Sequence, residues 1–191
     1  PMSLNLNLKG QLRFINRFFD VVAVSTSGKQ LNEFKKIEKV KIAPLNMTRK
    51  ISVIKDIVSL FKMIKLIIKE QPFIIHSHTP KAGFISMLAS AICRVPHRLH
   101  SVAGLPLMEA KGLKKLILIF VEWLTYKCAT KVYPVSFGLE KYILKKIRIS
   151  RSKIKVIGPG SSNGVDIKYY KKNKKINKLA INFKKKLLLQ N

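Results

Sequence analysis

The feature that most constrains the fold is an alternation of short apolar segments with longer segments that are apolar at helical spacing. Short runs rich in β-branched residues are typical of buried strands, and apolar residues three or four positions apart are typical of helices. The predicted strands cover residues 21–25, 40–43, 73–75, 95–102, 131–135 and 153–157. The predicted helices cover residues 8–19, 30–39, 52–70, 80–94, 112–128 and 136–147. This alternation predicts an α/β fold: a doubly wound parallel sheet with right-handed crossovers and helices on both faces.

The composition adds a strong positive charge to this pattern. The 191 residues include 38 Lys and Arg against 9 Asp and Glu, which gives a net charge of +29. Such a surface attracts polyanions, which include nucleic acid, anionic lipid and phosphorylated substrates. Lysine greatly outnumbers arginine. Because arginine is the better reader of base edges, the charge favours a general electrostatic attraction over sequence-specific DNA or RNA binding.

Residues 73–83 contain the clearest candidate site. An apolar run is followed by His76, Ser77, His78, Thr79 and Lys81, and then by the start of a helix. Open α/β sheets bind ligands at the carboxyl ends of their strands, and a helix N-terminus suits phosphate or hydroxyl groups. His76 and His78 are two positions apart, so they point to the same side of a strand. We expect a ligand-facing role, with structural duty as the alternative. Two histidines without a Cys or carboxylate partner make a poor zinc site, so no metal is predicted.

Two more polar segments lie at the carboxyl ends of predicted strands. His100 with Gly104 follows one strand, and the turn 158–166 follows another. Parallel strands place such segments along one edge of the sheet, where they can meet in one cleft. Together they predict a site for a polar ligand that is phosphorylated or polyhydroxylated. The sequence contains neither a dinucleotide-binding G-x-G-x-x-G nor a P-loop, and the turn 158–166 could instead be a flexible linker.

Four ordered motifs carry a resemblance to a known family. They are His-Ser-His-Thr-Pro-Lys-Ala-Gly at 76–83, Arg-Leu-His-Ser-Val-Ala-Gly-Leu-Pro at 98–106, Val-Tyr-Pro-Val-Ser at 132–136 and Ile-Gly-Pro-Gly-Ser-Ser-Asn-Gly-Val-Asp at 157–166. About residues 1–167 resemble the amino-terminal half of a bacterial family-4 glycosyltransferase. Those enzymes have the GT-B architecture of two Rossmann domains. The nearest in kind build capsular, exopolysaccharide or lipopolysaccharide repeat units on a lipid carrier.

The resemblance implies a role for each motif. Residues 1–167 would form a Rossmann-like acceptor-binding domain, one half of a GT-B fold, and a carboxyl-terminal domain would hold the nucleotide-sugar donor. The transfer to a lipid-linked saccharide acceptor would retain the anomeric configuration, without metal or cofactor. His100 would be catalytic. The acceptor or phosphate would be bound by His76, His78, Thr79, Lys81, Gly83 and Gly104. The donor-side loop between the domains would contain Gly160, Ser161, Ser162, Asn163, Gly164 and Asp166.

The sequence departs from the family pattern at both ends and in two loops. We expect the first strand of the domain and the whole donor domain to be absent, and the lysine-rich tail 168–191 to be truncated or disordered. Val135 stands where relatives often have Asn, and Pro159 stands where a polar residue is commoner. The chain by itself is therefore expected to transfer no sugar.

Lysines on two predicted helices indicate where the protein would meet a membrane. Residues 52–70 carry Lys55, Lys62, Lys65 and Lys69, and an apolar helix follows Lys111, Lys114 and Lys115. We expect these lysines to face anionic lipid, which would place the protein in the cytoplasm, peripheral to the inner face of the plasma membrane. The alternative is a non-catalytic basic α/β module that binds nucleic acid or another polyanion, although no recognition motif for specific nucleic-acid binding is present.

Overall fold

Strands and helices alternate along the chain as the sequence predicts. The computed structural model describes residues 7–47, 52–161, 167, 171 and 174–186. The strands are Val22–Ser25 (β1), Lys41–Pro44 (β2), Ile74–Ser77 (β3), His97–Val102 (β4) and Lys131–Pro134 (β5). The helices are Gln11–Ile15 (α1), Lys29–Glu38 (α2), Val53–Glu70 (α3), Pro80–Ile92 (α4), Gly112–Cys128 (α5), Phe137–Ile147 (α6) and Lys174–Lys186 (α7). Apart from α1 and the predicted strand 153–157, each predicted element begins and ends within two residues of its bounds in the structure.

All of the strand pairs are parallel, which confirms the predicted class of sheet. Strand β1 pairs with β2, with Val22 opposite Lys41. Strand β4 lies between β3 and β5, with His100 opposite Ser77 on one side and opposite Val132 on the other. Within the described residues these are two separate sheets, one of two strands and one of three, whereas the sequence predicts one sheet.

The predicted strand 153–157 is wrong. Its first residue ends a short 3-10 turn, Arg151–Lys153, and only one bridge, between Val132 and Ile154, joins the segment to β5. The Lys153 amine donates to the carbonyl oxygens of Lys127 and Ala129, both at 2.9 Å, and this fixes the turn beside α5. Soon afterwards Gly158, with φ at 57°, turns the chain away from the sheet. The segment has the apolar alternation of a strand, but the 3-10 turn before it and the turn at Gly158 after it limit its pairing with β5 to one bridge.

Helices α3, α4 and α5 form one layer, with α4 in the middle. The β3–α4–β4–α5–β5 path advances in one direction across the sheet, and right-handed crossovers then place α4 and α5 on the same face. The middle helix is buried on most sides, including at Gly83, Ile85, Ser86, Met87, Ala89 and Ser90. Its small residues let the neighbouring backbone and side chains approach closely. The main core lies between this layer and the three-stranded sheet, where Ile85, Val132 and Ile143 are almost fully buried.

Helix α1 is much shorter than the predicted helix over residues 8–19. Gly10, with φ at 78°, precedes it in a left-handed conformation. The buried Glu38 carboxylate of α2 then accepts hydrogen bonds from the backbone N–H groups of Gly10 at 2.6 Å and Arg13 at 2.9 Å. A carboxylate at a helix N-terminus satisfies free N–H groups and matches the helix dipole. The start of α1 is therefore set by a residue from a different helix, which helical periodicity cannot reveal.

Helix α7 lies in the lysine-rich tail, where the sequence analysis predicts no element. It carries exposed Leu179 and Phe183 among lysines. The few apolar residues of the tail are thus helical in their spacing, but the lysines around them conceal the pattern.

Candidate functional site

A small cavity lies at the carboxyl ends of β3 and β4, beneath α4 and α5. The polar residues His78, His100, Ser101 and Glu122 line it together with Gly104 and the apolar Pro80, Val102 and Ala103. The space open to the centre of a water molecule is about 40 Å³. One water needs about 10–15 Å³ by this measure, so the cavity has room for a hydroxyl group. Of the predicted site residues, His78, His100 and Gly104 meet here.

His100 is the central side chain of this cavity. It lies on β4, is only 2% exposed, and its Nδ1 atom is 2.7 Å from the Ser77 hydroxyl on β3. Burial of the ring lowers the pKa of His100 to about 4, repulsion from His78 adds to this, and a hydrogen bond with the Ser77 backbone opposes part of the change. The imidazole is therefore neutral at pH 7. The bond between Nδ1 and the Ser77 hydroxyl leaves Nε2 as the nitrogen that can serve a ligand. Nε2 accepts a hydrogen bond in the tautomer that carries its proton on Nδ1.

Gly83 of α4 lies directly against the His100 ring. A Cβ atom at position 83 would be 2.4 Å from the Cε1 atom and 2.8 Å from the Nδ1 atom of His100. No side chain fits there unless the ring moves. The sequence analysis predicts Gly83 as an acceptor-binding residue; in the structure its absent side chain is what lets α4 pack over the histidine.

His76 and His78 lie on the same side, as their spacing predicts, with ring centroids 4.2 Å apart. Burial lowers the pKa of His78 to about 4. The pKa of His76 is also lowered, first by desolvation and then by repulsion from His78 and His100. His76 does not line the cavity: it is the more exposed of the two, and its Nε2 atom is 2.8 Å from the Ser101 hydroxyl. The two histidines at the end of β3 therefore have different surroundings: His78 lines the cavity, and His76 lies outside it beside Ser101.

Lys81 and Thr79 lie near the cavity without lining it. The Lys81 amine forms an ion pair with Asp56 of α3 at 2.5 Å, and both side chains are largely buried. Its charge is thus balanced within the protein, and the pair ties α3 to α4. Thr79 is the residue before α4, and its side chain makes no capping hydrogen bond.

The turn after residue 157 is anchored beside the carboxyl end of β5. Gly160 has φ at 97°, and a Cβ atom there would be 2.7 Å from the Val135 carbonyl oxygen. The Ser161 N–H donates to the same oxygen at 2.6 Å. Gly160 and Ser161 thus extend the edge of the sheet that carries the cavity. The other predicted residues of this loop, Ser162, Asn163, Gly164 and Asp166, lie outside the described residues.

Glu122 of α5 is a cavity residue that the sequence analysis does not predict. The side chain is 3% exposed, and its Oε2 atom has no hydrogen-bond partner in the described part of the chain. Burial raises the pKa of the Glu122 carboxyl, and the nearby Tyr126 hydroxyl opposes part of that rise. The buried hydroxyl of Tyr126, one turn further along α5, is close enough to the carboxyl for each group to shift the pKa of the other, although neither Oε2 nor the hydroxyl forms a hydrogen bond of ordinary geometry among the described residues. One signal was available: Glu122 interrupts the apolar run 116–121.

Helices α3 and α5 also expose an unusual number of large apolar side chains. Phe61 is 61% exposed on α3 and Phe120 is 59% exposed on α5. We call this set the apolar helix face; it comprises Val53, Ile54, Ile57, Val58, Phe61 and Ile68 of α3 with Leu113, Leu116, Ile117, Phe120 and Trp123 of α5. Lys55, Lys62, Lys65 and Lys69 of α3 are also exposed, as are Lys111 before α5 and Lys114 within it. No helix of the described residues is long and apolar enough to cross a membrane.

Comparison with solved structures supports the Rossmann-like fold. A glycosyltransferase from Rickettsia africae ESF-5 superposes with a TM-score of 0.66 at 18% sequence identity, over 96% of this chain and 47% of that one. At this identity the match shows the fold alone, which is the Rossmann-like α/β fold of a glycosyltransferase domain.

The sequence identifies the family. The profile of Glycosyltransferase Family 4 matches residues 12–168, and the chain belongs to this family. It is 38% identical over 164 residues to the capsular polysaccharide biosynthesis glycosyltransferase CapM of Staphylococcus aureus, over 85% of this chain and 42% of the relative. It is 31% identical over 125 residues to the UDP-Gal:alpha-D-GlcNAc-diphosphoundecaprenol alpha-1,3-galactosyltransferase of Escherichia coli, over 65% of this chain and 31% of the relative. The chain thus spans less than half the length of either relative.

Proposed function

We propose that the natural protein transfers a sugar from a nucleotide-sugar donor to a lipid-linked saccharide in cell-surface polysaccharide biosynthesis, with retention of configuration. Family membership supports the transferase class. The names of the two relatives, one for capsular polysaccharide and one for a diphosphoundecaprenol-linked acceptor, support the substrate classes. The observation that carries the proposal for this chain is the neutral, buried His100 at the carboxyl end of the sheet.

His100 would act on the reacting sugar as a neutral imidazole. An uncharged ring whose Nε2 lone pair is free can accept a hydrogen bond from a substrate hydroxyl, and Ser77 holds the ring in the required orientation. His78 and Gly104 would contact the same substrate. His76, with the Ser101 hydroxyl 2.8 Å away, would contact its outer part. Since Asp56 balances the charge of Lys81, that lysine would serve the acceptor site by holding α4 in place.

Residues 1–167 would supply one wall of the reaction cleft, and a second domain would hold the donor. Alignment of two reactants can account for about 7–11 kcal/mol of a barrier, and one wall cannot provide it. We therefore expect residues 1–191 alone to transfer no sugar. The loop that contains Gly160, Ser161, Ser162, Asn163, Gly164 and Asp166 would lead towards the donor side.

The apolar helix face would place the protein on the inner face of the plasma membrane. Burial of apolar surface contributes about 25 cal/mol per Å², and each lysine near an anionic leaflet adds about 1 kcal/mol. The acceptor is bound to lipid, so a membrane-facing surface on the acceptor-binding domain brings the cleft to its substrate. Nucleic-acid binding is less well supported, because exposed lysines occur on α2, α3, α5, α6 and α7 instead of beside one groove.

The test of the proposal is an assay of the natural protein that contains this chain. The purified protein is incubated with UDP-galactose, UDP-glucose or UDP-N-acetylglucosamine and with GlcNAc-diphosphoundecaprenol, and labelled lipid is measured. We expect one donor to be used, and His100→Ala to lower turnover by about 10²-fold while the fold is kept. His97→Ala, at an exposed position of the same strand, is the matched control. Turnover in His100→Ala equal to that of the control would refute the role of His100.

A further inference from the structure

Glu122 is a buried carboxyl with one polar neighbour in the described fold, the Tyr126 hydroxyl, and that neighbour leaves part of its hydrogen-bonding capacity unused. It occupies a helix whose other buried positions include Thr125 and Tyr126, and its Oε2 atom lacks a hydrogen-bond partner within the described residues. Most buried polar atoms in proteins have partners, and leaving one unpaired costs stability. A residue kept at such a cost is more often functional than structural.

The surroundings of Glu122 indicate the kind of ligand. The carboxyl lines the same 40 Å³ cavity as His78 and His100. Burial lowers the pKa of both histidines to about 4 and raises the pKa of the Glu122 carboxyl, so all three groups tend to the uncharged form. Three groups that all disfavour charge do not suit a phosphate, which needs positive charge. They suit a neutral hydroxyl, which can donate to one group and accept from another.

We propose that Glu122 binds a hydroxyl group of a substrate sugar in the cavity that it shares with His78 and His100. The inference rests on the proposed glycosyltransferase function. The Glu122 carboxyl donates to the hydroxyl oxygen, and the hydroxyl proton is directed to the free nitrogen of His100. Glu122 is then a direct substrate contact, and it helps to decide which sugar hydroxyl enters the cavity. The hydroxyl can belong to the donor or to the acceptor.

Two variants separate binding from structural support. Glu122→Gln keeps an N–H donor at the same length, and Glu122→Met keeps the volume but neither donates nor accepts strongly. With the natural protein, we expect Glu122→Met to raise the KM for one substrate about tenfold, the size of one buried hydrogen bond, and to leave the other KM within about twofold. Glu122→Gln should stay within about threefold of the wild type. The substrate whose KM changes, UDP-sugar or GlcNAc-diphosphoundecaprenol, identifies the source of the hydroxyl.

Thermal unfolding gives a second readout that needs no activity. Because the buried Tyr126 hydroxyl has the Glu122 carboxyl as its neighbour, Glu122→Met is compared in a Tyr126→Phe background, where it removes a buried carboxyl and leaves no hydroxyl without a partner. In that background the melting temperature should equal or exceed that of Tyr126→Phe alone. Glu109→Met, the same change at an exposed position before α5, is the matched control. A clear loss of stability on adding Glu122→Met to Tyr126→Phe, or a KM unchanged for both substrates, overturns the inference while the transferase function stands. Absence of turnover in the wild type with all three UDP-sugars overturns the proposed function, and the inference with it.

Discussion

Gly83→Ala is predicted to displace His100, because the added methyl group would lie 2.4 Å from the His100 Cε1 atom. In a helix interior, Ala is normally about 1 kcal/mol more favourable than Gly. Overpacking a well-packed core costs about 1–3 kcal/mol, and here the atoms in conflict belong to a rigid ring held by Ser77. We expect a net loss of about 0–2 kcal/mol of unfolding free energy, the difference between these two effects. Since a misplacement of about 1 Å can cost about 10²-fold in rate, turnover should fall by that order.

Two comparisons make this prediction specific. Gly138 lies in α6 with no atom near its added Cβ, so Gly138→Ala should stabilise the protein. In the double variant Gly83→Ala/His100→Ala the conflict is absent, so the two stability changes should fail to add by about 1–3 kcal/mol. Urea unfolding followed by circular dichroism measures the wild type, Gly83→Ala, Gly138→Ala, His100→Ala and the double variant. If Gly83→Ala is as stable as Gly138→Ala, or if the two changes are additive, the contact between Gly83 and His100 does not constrain the site.

Three further predictions concern pH, a helix start and the membrane. The pKa of His100 is about 4 in the folded protein and keeps its ordinary value of 6.5 in the unfolded chain. Between pH 6.5 and pH 4 the unfolded chain therefore binds more protons than the folded protein. The free energy of unfolding falls as pH decreases through that window. The stability difference between the wild type and His100→Asn should therefore shrink by about 2 kcal/mol from pH 7 to pH 5. Glu38→Ala should cost about 3 kcal/mol in urea unfolding, since two backbone N–H groups lose a charged acceptor, and Glu33→Ala on the same helix should cost little. The double variant Phe61→Ser/Phe120→Ser should bind phosphatidylglycerol vesicles at least about tenfold more weakly in a sedimentation assay. Phe14 is an exposed phenylalanine of α1, and an equal effect of Phe14→Ser would argue against the apolar helix face.

The local pattern of the sequence predicts most of the fold. Helix 112–128 and the helix capped by Ser136 follow from spacing and capping chemistry, and in the structure the Ser136 hydroxyl accepts from the Leu139 N–H at 3.2 Å. These features depend on residues within a few positions of one another, so a single sequence contains them. The predicted strand 153–157 failed because a strand also needs a partner along its length, which is not a local property.

Part of the candidate site could be predicted for the same reason. Polar residues that follow a buried strand lie at the carboxyl edge of a parallel sheet whatever the details of packing, so His78, His100 and Gly104 were expected together, and they line one cavity. Glu122 was not predicted, because it lies on α5, which comes after β4 in the chain, and not at the end of a strand. Its distance to His100 depends on how α5 is seated on the sheet.

What the sequence by itself determined is therefore the order and type of the elements, the edge of the sheet that carries the polar residues, and the resemblance to the family. The tertiary structure alone decided which of those residues face each other. It paired Lys81 with Asp56, brought Gly83 against the ring of His100, and left Phe61 and Phe120 exposed. The physical reason is that periodicity reports which face of an element is apolar, whereas the neighbour that covers the face depends on contacts between segments far apart in the chain.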